Sequence, residues 1–206
     1  MNSASLAASL LVLCTRLVSG VRARWVGGEP GTRQRLYYAN HSSHLDALVI
    51  WAALPPPLRQ TTAPVAAADY WQRGRLRRFL AGQVLGAVLI DRRTGAGARE
   101  ALTRIDTALQ QGQSLILFPE GTRGDGINLA PFKPGLFHIG RSHPEVELVP
   151  VYLQNLNRIL PKGDFLPVPL LGSATFGAPL ARVPGEARQA FLERARAALI
   201  ELGENH

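Results

Sequence analysis

Cysteine is nearly absent from this 206-residue chain: Cys14 is the only one. That excludes an intramolecular disulfide and a cysteine-built zinc module, and it suits a reducing compartment. Lysine is almost as scarce, with Lys133 and Lys162 the only two among 23 basic residues, against 15 acidic ones and a net charge of +8. Arginine therefore carries the positive charge, and its planar fork favours bidentate contact with phosphate or carboxylate. Nucleic acid, an anionic membrane and a phosphorylated small molecule all fit such a balance, as does a compositional bias that places arginine where lysine would serve. Charged residues make up 18% and apolar residues 46%, which excludes a disordered chain, collagen and a coiled coil. The length suits one domain with room for a short appendage.

A long hydrophobic run is missing too. Leu6 to Cys14 is apolar, but it is broken by Arg16 and falls short of the ~20 residues that cross a bilayer. No basic region precedes it, so it does not read as a cleaved signal peptide. Arg16, Arg22 and Arg24 follow, and no acid occurs before Glu29. Residues 1–28 are expected to be an apolar, helical, membrane-associating segment with arginines at headgroup level. The plain alternative is a helix packed on the domain. Residues 29–206 then form the main domain.

Along that domain, short apolar runs alternate with helical patterns. Arg35–Ala39, Ala63–Ala68, Ala87–Ile90, Ser114–Phe118 and Val146–Leu153 read as strands. His44–Leu54, Gln72–Leu80, Gly97–Gln111 and Gly185–Leu202 read as helices, while Pro161–Leu171 is proline-rich and reads as an irregular surface excursion. His138 and His143 fall in a helix-like stretch and its exit and are expected at the surface. The fold class is α/β: a mostly parallel central sheet flanked by helices, preceded by the short amino-terminal helical segment.

Three polar clusters each follow a strand directly: Asn40 to Asp46, Asp91-Arg92-Arg93, and Pro119 to Arg123. In open α/β sheets ligands gather outside the carboxyl ends of the strands, so these clusters are expected to share one rim. His41 and Asp46 are five residues apart, which does not align them on one continuous helix. At a strand-to-helix corner, however, Asp46 in the first turn can fold back to the imidazole. A carboxylate on Nδ1 fixes the tautomer and leaves Nε2 free as a general base.

The nucleophile such a base would serve is not evident in the chain. No Gly-x-Ser-x-Gly elbow is present, Ser42 and Ser43 suit helix capping, and Cys14 sits in apolar surroundings. The economical resolution is that the attacking hydroxyl belongs to the substrate. His44 beside His41 and Asp46 raises the question of a metal, but no distant third ligand is indicated, so neither metal nor cofactor is expected.

Four ordered blocks carry a resemblance: Asn40-His41-x4-Asp46, Gly86 to Arg92, Phe118-Pro119-Glu120-Gly121-Thr122-Arg123, and Val149-Pro150-Val151-Tyr152. Phe132 to Gly135 and Phe176 to Leu180 add to it. From about residue 35 to 180 the chain resembles the glycerolipid acyltransferases, the group containing 1-acylglycerol-3-phosphate acyltransferase. The resemblance implies that His41 is the base and Asp46 its orienter. It also implies that Arg92, Glu120, Gly121, Thr122 and Arg123 help bind a glycerol phosphate, with Arg123 on the phosphate, and that Pro150 shapes the acyl-donor side. Lys133 is a further phosphate contact or a plain surface lysine. Backbone amides near His41 or Gly121 are candidates for holding the oxyanion. Gly124 stands where the family commonly has serine.

The implied reaction moves a fatty acyl group from acyl-CoA or acyl carrier protein to a lysophospholipid hydroxyl. The first acceptor is 1-acylglycerol-3-phosphate; another lysophospholipid or a lyso-aminolipid is the alternative. The implied location is the cytoplasmic face of the cell inner membrane, on an anionic surface and without nucleic acid. Two rivals are a basic nucleic-acid-binding module, which would rest on charge alone, and a serine-type lipase or thioesterase.

Overall fold

In the computed structural model, residues 3–91, 95–156 and 172–205 are described. The strands are β1 (Arg22–Trp25), β2 (Arg35–Ala39), β3 (Thr62–Ala67), β4 (Val88–Ile90), β5 (Ser114–Leu117), β6 (Glu147–Gln154) and β7 (Ser173–Phe176). They form one sheet in the order β1-β7-β6-β2-β5-β3-β4. Every pairing is parallel except β6 with β7. The expected α/β class is therefore the observed one.

Strand β2 is central and its five residues are all buried, as a parallel strand covered on both faces must be. Its alternation assigns the two cores. Tyr37 and Ala39 join one cluster with Val49, Ile50 and Leu54 from the segment after it, together with Val12 near the amino end. Leu36 and Tyr38 join the other with Ile105, Leu136, Ile139 and Leu199.

The first face is covered by α1 (Ser3–Ser19) and α2 (Asp46–Ala53); the second by α6 (Gly95–Gln110), α7 (Gly135–Ser142) and α8 (Arg188–Glu204). Between β2 and β4 lie three short helices, α3 (Pro56–Gln60), α4 (Ala68–Trp71) and α5 (Arg75–Phe79), the last running into a single π-helical turn at Leu80–Val84.

Helix α1 is tied to the domain by Arg16, whose Nη2 donates to the Ala52 carbonyl at 3.0 Å, and by burial of Val12, Thr15 and Ser19. Its other face is bare: Leu6, Leu10, Leu13 and Leu17 are all exposed, the last at 72%. Spacings of four, three and four residues put these leucines on one stripe. Among the described residues no helix is long and apolar enough to cross a membrane. Strand β1, which falls inside the expected 1–28 segment, is an edge strand of the same sheet.

The proline-rich stretch at Pro161–Leu171 lies outside the described residues. His143, expected at the surface, is buried: Nε2 lies 2.9 Å from Asp106 Oδ1 and Nδ1 lies 3.3 Å from Glu145 Oε1. The exit of α7 packs under the amino end of β6, and the paired carboxylates supply the polar partners that burial demands.

Candidate active site

The His41 loop leaves β2 and the Glu120 loop leaves the adjacent β5, so the two clusters meet at one rim of the sheet. Asp46 is the first residue of α2 and is fully buried. Its carboxylate points backwards, out of the helix. Oδ2 lies 2.8 Å from His41 Nδ1 and accepts the backbone N–H of Ser42 at 2.6 Å and of Ser43 at 2.9 Å. The corner geometry expected from the spacing is therefore present, and two amides lock the carboxylate that holds the imidazole. Its Oδ1 is buried without a hydrogen-bond partner among the described residues.

The His41 ring is further fixed by stacking on Phe118, with centroids 4.2 Å apart and planes at 19°. Nε2 makes no protein hydrogen bond among the described residues, and the side chain keeps 18% of its exposure. A neutral imidazole held this way carries its proton on Nδ1 and presents a lone pair at Nε2. Asn40, just before it, pairs like a strand residue. Its Nδ2 donates to the Leu153 carbonyl at 2.9 Å and its Oδ1 accepts the Leu153 N–H at 2.8 Å, fastening the end of β2 to β6.

Glu120 is buried at 4% exposure and both its oxygens are occupied. Oε1 accepts the His41 N–H at 2.8 Å and Oε2 accepts the Ala130 N–H at 3.0 Å. The carboxylate thus joins the histidine loop to the far end of its own loop, and Gly124 N donates to His41 O at 2.8 Å as a second tie. Of the amides near His41 and Gly121 expected as oxyanion candidates, those of these two residues are engaged already: the former by Glu120, the latter by the Phe118 carbonyl at 3.0 Å.

Gly121 has a φ of +73°, and a Cβ there would lie 2.5 Å from Lys133 Nζ. Only glycine lets the lysine ammonium lie across the turn. Thr122 is exposed and Arg123 is half-buried, with its Nη1 buried and without an acceptor among the described residues. Pro150 lies within β6, one strand away from β5 across β2. Arg92 lies outside the described residues. Asp91 follows β4, the edge strand, with β5 and β3 between it and β2, so Asp91 itself stands about 14 Å of sheet away from the end of β2.

Several contributors had little sequence signal. His44 stacks on Tyr70 of α4 at 5.3 Å, and burial, then the positive charge of Arg123, pushes its pKa below the ordinary histidine value. Tyr152 and Arg196 border a cavity of about 290 Å³ that reaches His41 from the α8 side. Phe118 was readable only as part of its motif.

The sequence profile of the family described as Acyltransferase matches residues 27–154, more than half of the chain, including the His41 and Glu120 loops. The chain belongs to the acyltransferase family. Curated relatives include the mouse 1-acyl-sn-glycerol-3-phosphate acyltransferase alpha, 29% identical over 71% of this chain and 50% of its own. The Limnanthes alba 1-acyl-sn-glycerol-3-phosphate acyltransferase is 31% identical over 73% of this chain and 52% of its own. The Salmonella typhimurium protein of the same description is 29% identical over 58% and 46%. The chain spans about half the length of these relatives. Among solved structures, the 1-acyl-sn-glycerophosphate acyltransferase PlsC of Thermotoga maritima shares the fold, with a TM-score of 0.71 over 100% of this chain and 83% of that one at 20% identity.

Proposed function

We propose that this chain is an O-acyltransferase that moves a fatty acyl group from a thioester donor, acyl-CoA or acyl carrier protein, to the free hydroxyl of 1-acylglycerol-3-phosphate, giving phosphatidic acid. The observation that carries the chemistry is the 2.8 Å contact between His41 Nδ1 and a buried carboxylate, with Nε2 left unbonded among the described residues. The names of the relatives support the acceptor.

His41 Nε2 takes the proton of the acceptor hydroxyl as its oxygen attacks the thioester carbonyl. The tetrahedral adduct collapses, the C–S bond breaks, and the imidazolium returns the proton to the departing thiolate. An ester and a free thiol result. Asp46 holds the ring and offsets its transient charge. Arg123, with an unused donor, and Lys133 over Gly121 take the acceptor phosphate, assisted by Arg92. Glu120, Gly121 and Thr122 serve the same acceptor by shaping the turn. In this reading residues 29–206 are the catalytic domain and 1–28 the attachment segment.

The membrane part rests on the leucine stripe of α1 and on Leu76 with exposed Arg73, Arg75 and Arg78 beyond β3. Inserting each leucine contributes about 1.5–3 kcal/mol, and each arginine near anionic lipid about 1 kcal/mol. Docking would bring the rim to the interface where lysolipids reside, on the cytoplasmic face of the inner membrane.

The test is thiol release from long-chain acyl-CoA and from acyl carrier protein, with and without 1-acylglycerol-3-phosphate. Release that requires the acceptor, and its loss in His41→Ala, is expected. Release without any acceptor makes the protein a thioesterase, and salt-sensitive DNA binding with no release makes it a nucleic-acid module.

A further inference from the structure

Arg77 differs from its neighbours on α5. Arg75 and Arg78 are exposed, as a solvated basic face would have them, but Arg77 is half-buried. Its guanidinium lies 4.4 Å from the centroid of Tyr70. Tyr70 in turn stacks on His44 at 5.3 Å and 28° and is braced edge-on by Trp71 at 5.6 Å. The cation is thereby held against the wall of the His41 loop, three residues from the base. The segment that carries it leaves the carboxyl end of β3, next to β5, so it borders the same rim as the Glu120 loop.

Burial first, then the charges of Arg123 and Arg77, disfavour protonation of His44, and Asp46 opposes them. Asp46 already accepts three hydrogen bonds. Among the described residues no carboxylate lies within ion-pair distance of Arg77 or Arg123. Arg77 lies over Tyr70, Arg123 keeps a buried nitrogen without an acceptor, and among the described residues neither guanidinium has a counter-charge. That arrangement is complementary to an anion with more than one negative charge.

We infer that Arg77 is a second headgroup cation, which with Arg123 selects a phosphomonoester on the acceptor over a phosphodiester. The inference rests on the proposed acyl transfer and specifies its acceptor. A phosphomonoester carries about −1.5 to −2 at neutral pH and can engage both guanidinium groups. A phosphodiester carries one charge, and the ammonium of a choline or ethanolamine headgroup would be repelled by the same cluster. The Tyr70 face pre-orients Arg77, so less side-chain freedom is lost on binding.

The experiment measures transfer onto 1-acylglycerol-3-phosphate and onto its phosphocholine diester, both in neutral detergent micelles so that membrane charge plays no part. Arg77→Gln should raise KM for the monoester about 10-fold or more, the scale of one lost charge-assisted hydrogen bond, and should narrow the preference for monoester over diester. Arg77→Lys should recover part of that loss, and Tyr70→Leu should shift KM in the same direction. Arg188→Gln, the same charge change at the far end of α8, should leave both KM values alone. A monoester KM within about 2-fold of wild type in Arg77→Gln, or an equal rise for both acceptors, overturns the inference while leaving the transferase intact.

If wild type acylates no lysolipid, the proposed function has failed instead. Glycerol 3-phosphate titrated against the His44 imidazole signal then decides the site on its own. Binding lost in Arg77→Gln upholds the anion site, and equal binding in both proteins overturns it.

Discussion

Replacing Asp46 by Asn probes the centre of the mechanism with almost no change of shape. Two orientations are open to the amide. With its nitrogen at the Oδ2 position it would oppose the N–H groups of Ser42 and Ser43, which donate there at 2.6 and 2.9 Å. The oxygen therefore takes that position, keeps three donors as a neutral acceptor, and sends the NH₂ group to the buried Oδ1 site, which offers no hydrogen-bond partner. The imidazolium formed during transfer then lacks its anion. For charge centres about 4 Å apart and an effective dielectric near 20, that attraction is about 4 kcal/mol, or roughly 10³-fold in kcat. In serine-type triads, where the tautomer is also lost, the same substitution costs about 10⁴-fold. Folding should suffer less: exchanging charge-assisted for neutral hydrogen bonds costs about 1–3 kcal/mol, a fall of about 2–10 °C in Tm for a chain of this size. The assay is acceptor-dependent thiol release at saturating substrate, with a thermal melt on the same sample. A folded Asp46→Asn protein with kcat within about 10-fold of wild type would refute the idea that this carboxylate works through the imidazole.

Glu120→Gln can satisfy only one of the amides of His41 and Ala130; we expect a loss of about 1–3 kcal/mol in a denaturant titration together with reduced kcat, and unchanged stability contradicts the bracing role. Placing aspartate at Leu10 and Leu17, which are 61% and 72% exposed, should abolish binding to phosphatidylglycerol vesicles while leaving Tm within a few degrees; retained flotation with vesicles would exclude α1 as the docking face. His44 titrates below the ordinary histidine value because burial and nearby cations disfavour its charged form. The unfolded chain therefore binds this proton first, and stability is lost as pH falls from about 6.5 through the depressed folded value. His44→Phe keeps a ring against Tyr70 without the titration, so its Tm relative to wild type should rise between pH 7 and pH 5; a constant or falling difference argues against a depressed histidine there.

The strands and the His41–Asp46 contact were legible because their signals are local. Arg35–Ala39 is a strand with the expected bounds, and Ser114–Phe118 and Val146–Leu153 are off by a single residue at their ends. Asp46 folds back to His41 across five residues of a strand-to-helix corner, a distance short enough to read from the spacing. Long-range pairing carries no such local signal. Nothing in Arg22–Trp25 announces an edge strand, since its partner β7 comes nearly 150 residues later. The stretch at Gln72–Leu80 read as one helix, but Gly74 at φ +83° separates α4 from α5. His143 looked like a surface residue because Asp106, which lies 37 positions away, is invisible to a reading of neighbours. The Tyr70–His44–Arg77 stack was hidden for the same reason, three unremarkable residues joined only by the fold.

The double bond-acceptor role of Glu120 also bears on how the protein meets its ligands. Because one side chain clasps the base-bearing corner and the start of the segment leading into α7, neither can reposition without breaking the other's anchorage. If the proposed acyl transfer holds, the geometry around His41 would stand formed before an acceptor arrives. In the proposed acyl transfer, preference would then rest on how well an acceptor fits a site already formed, and a poor acceptor would bind weakly rather than be admitted and left unreacted.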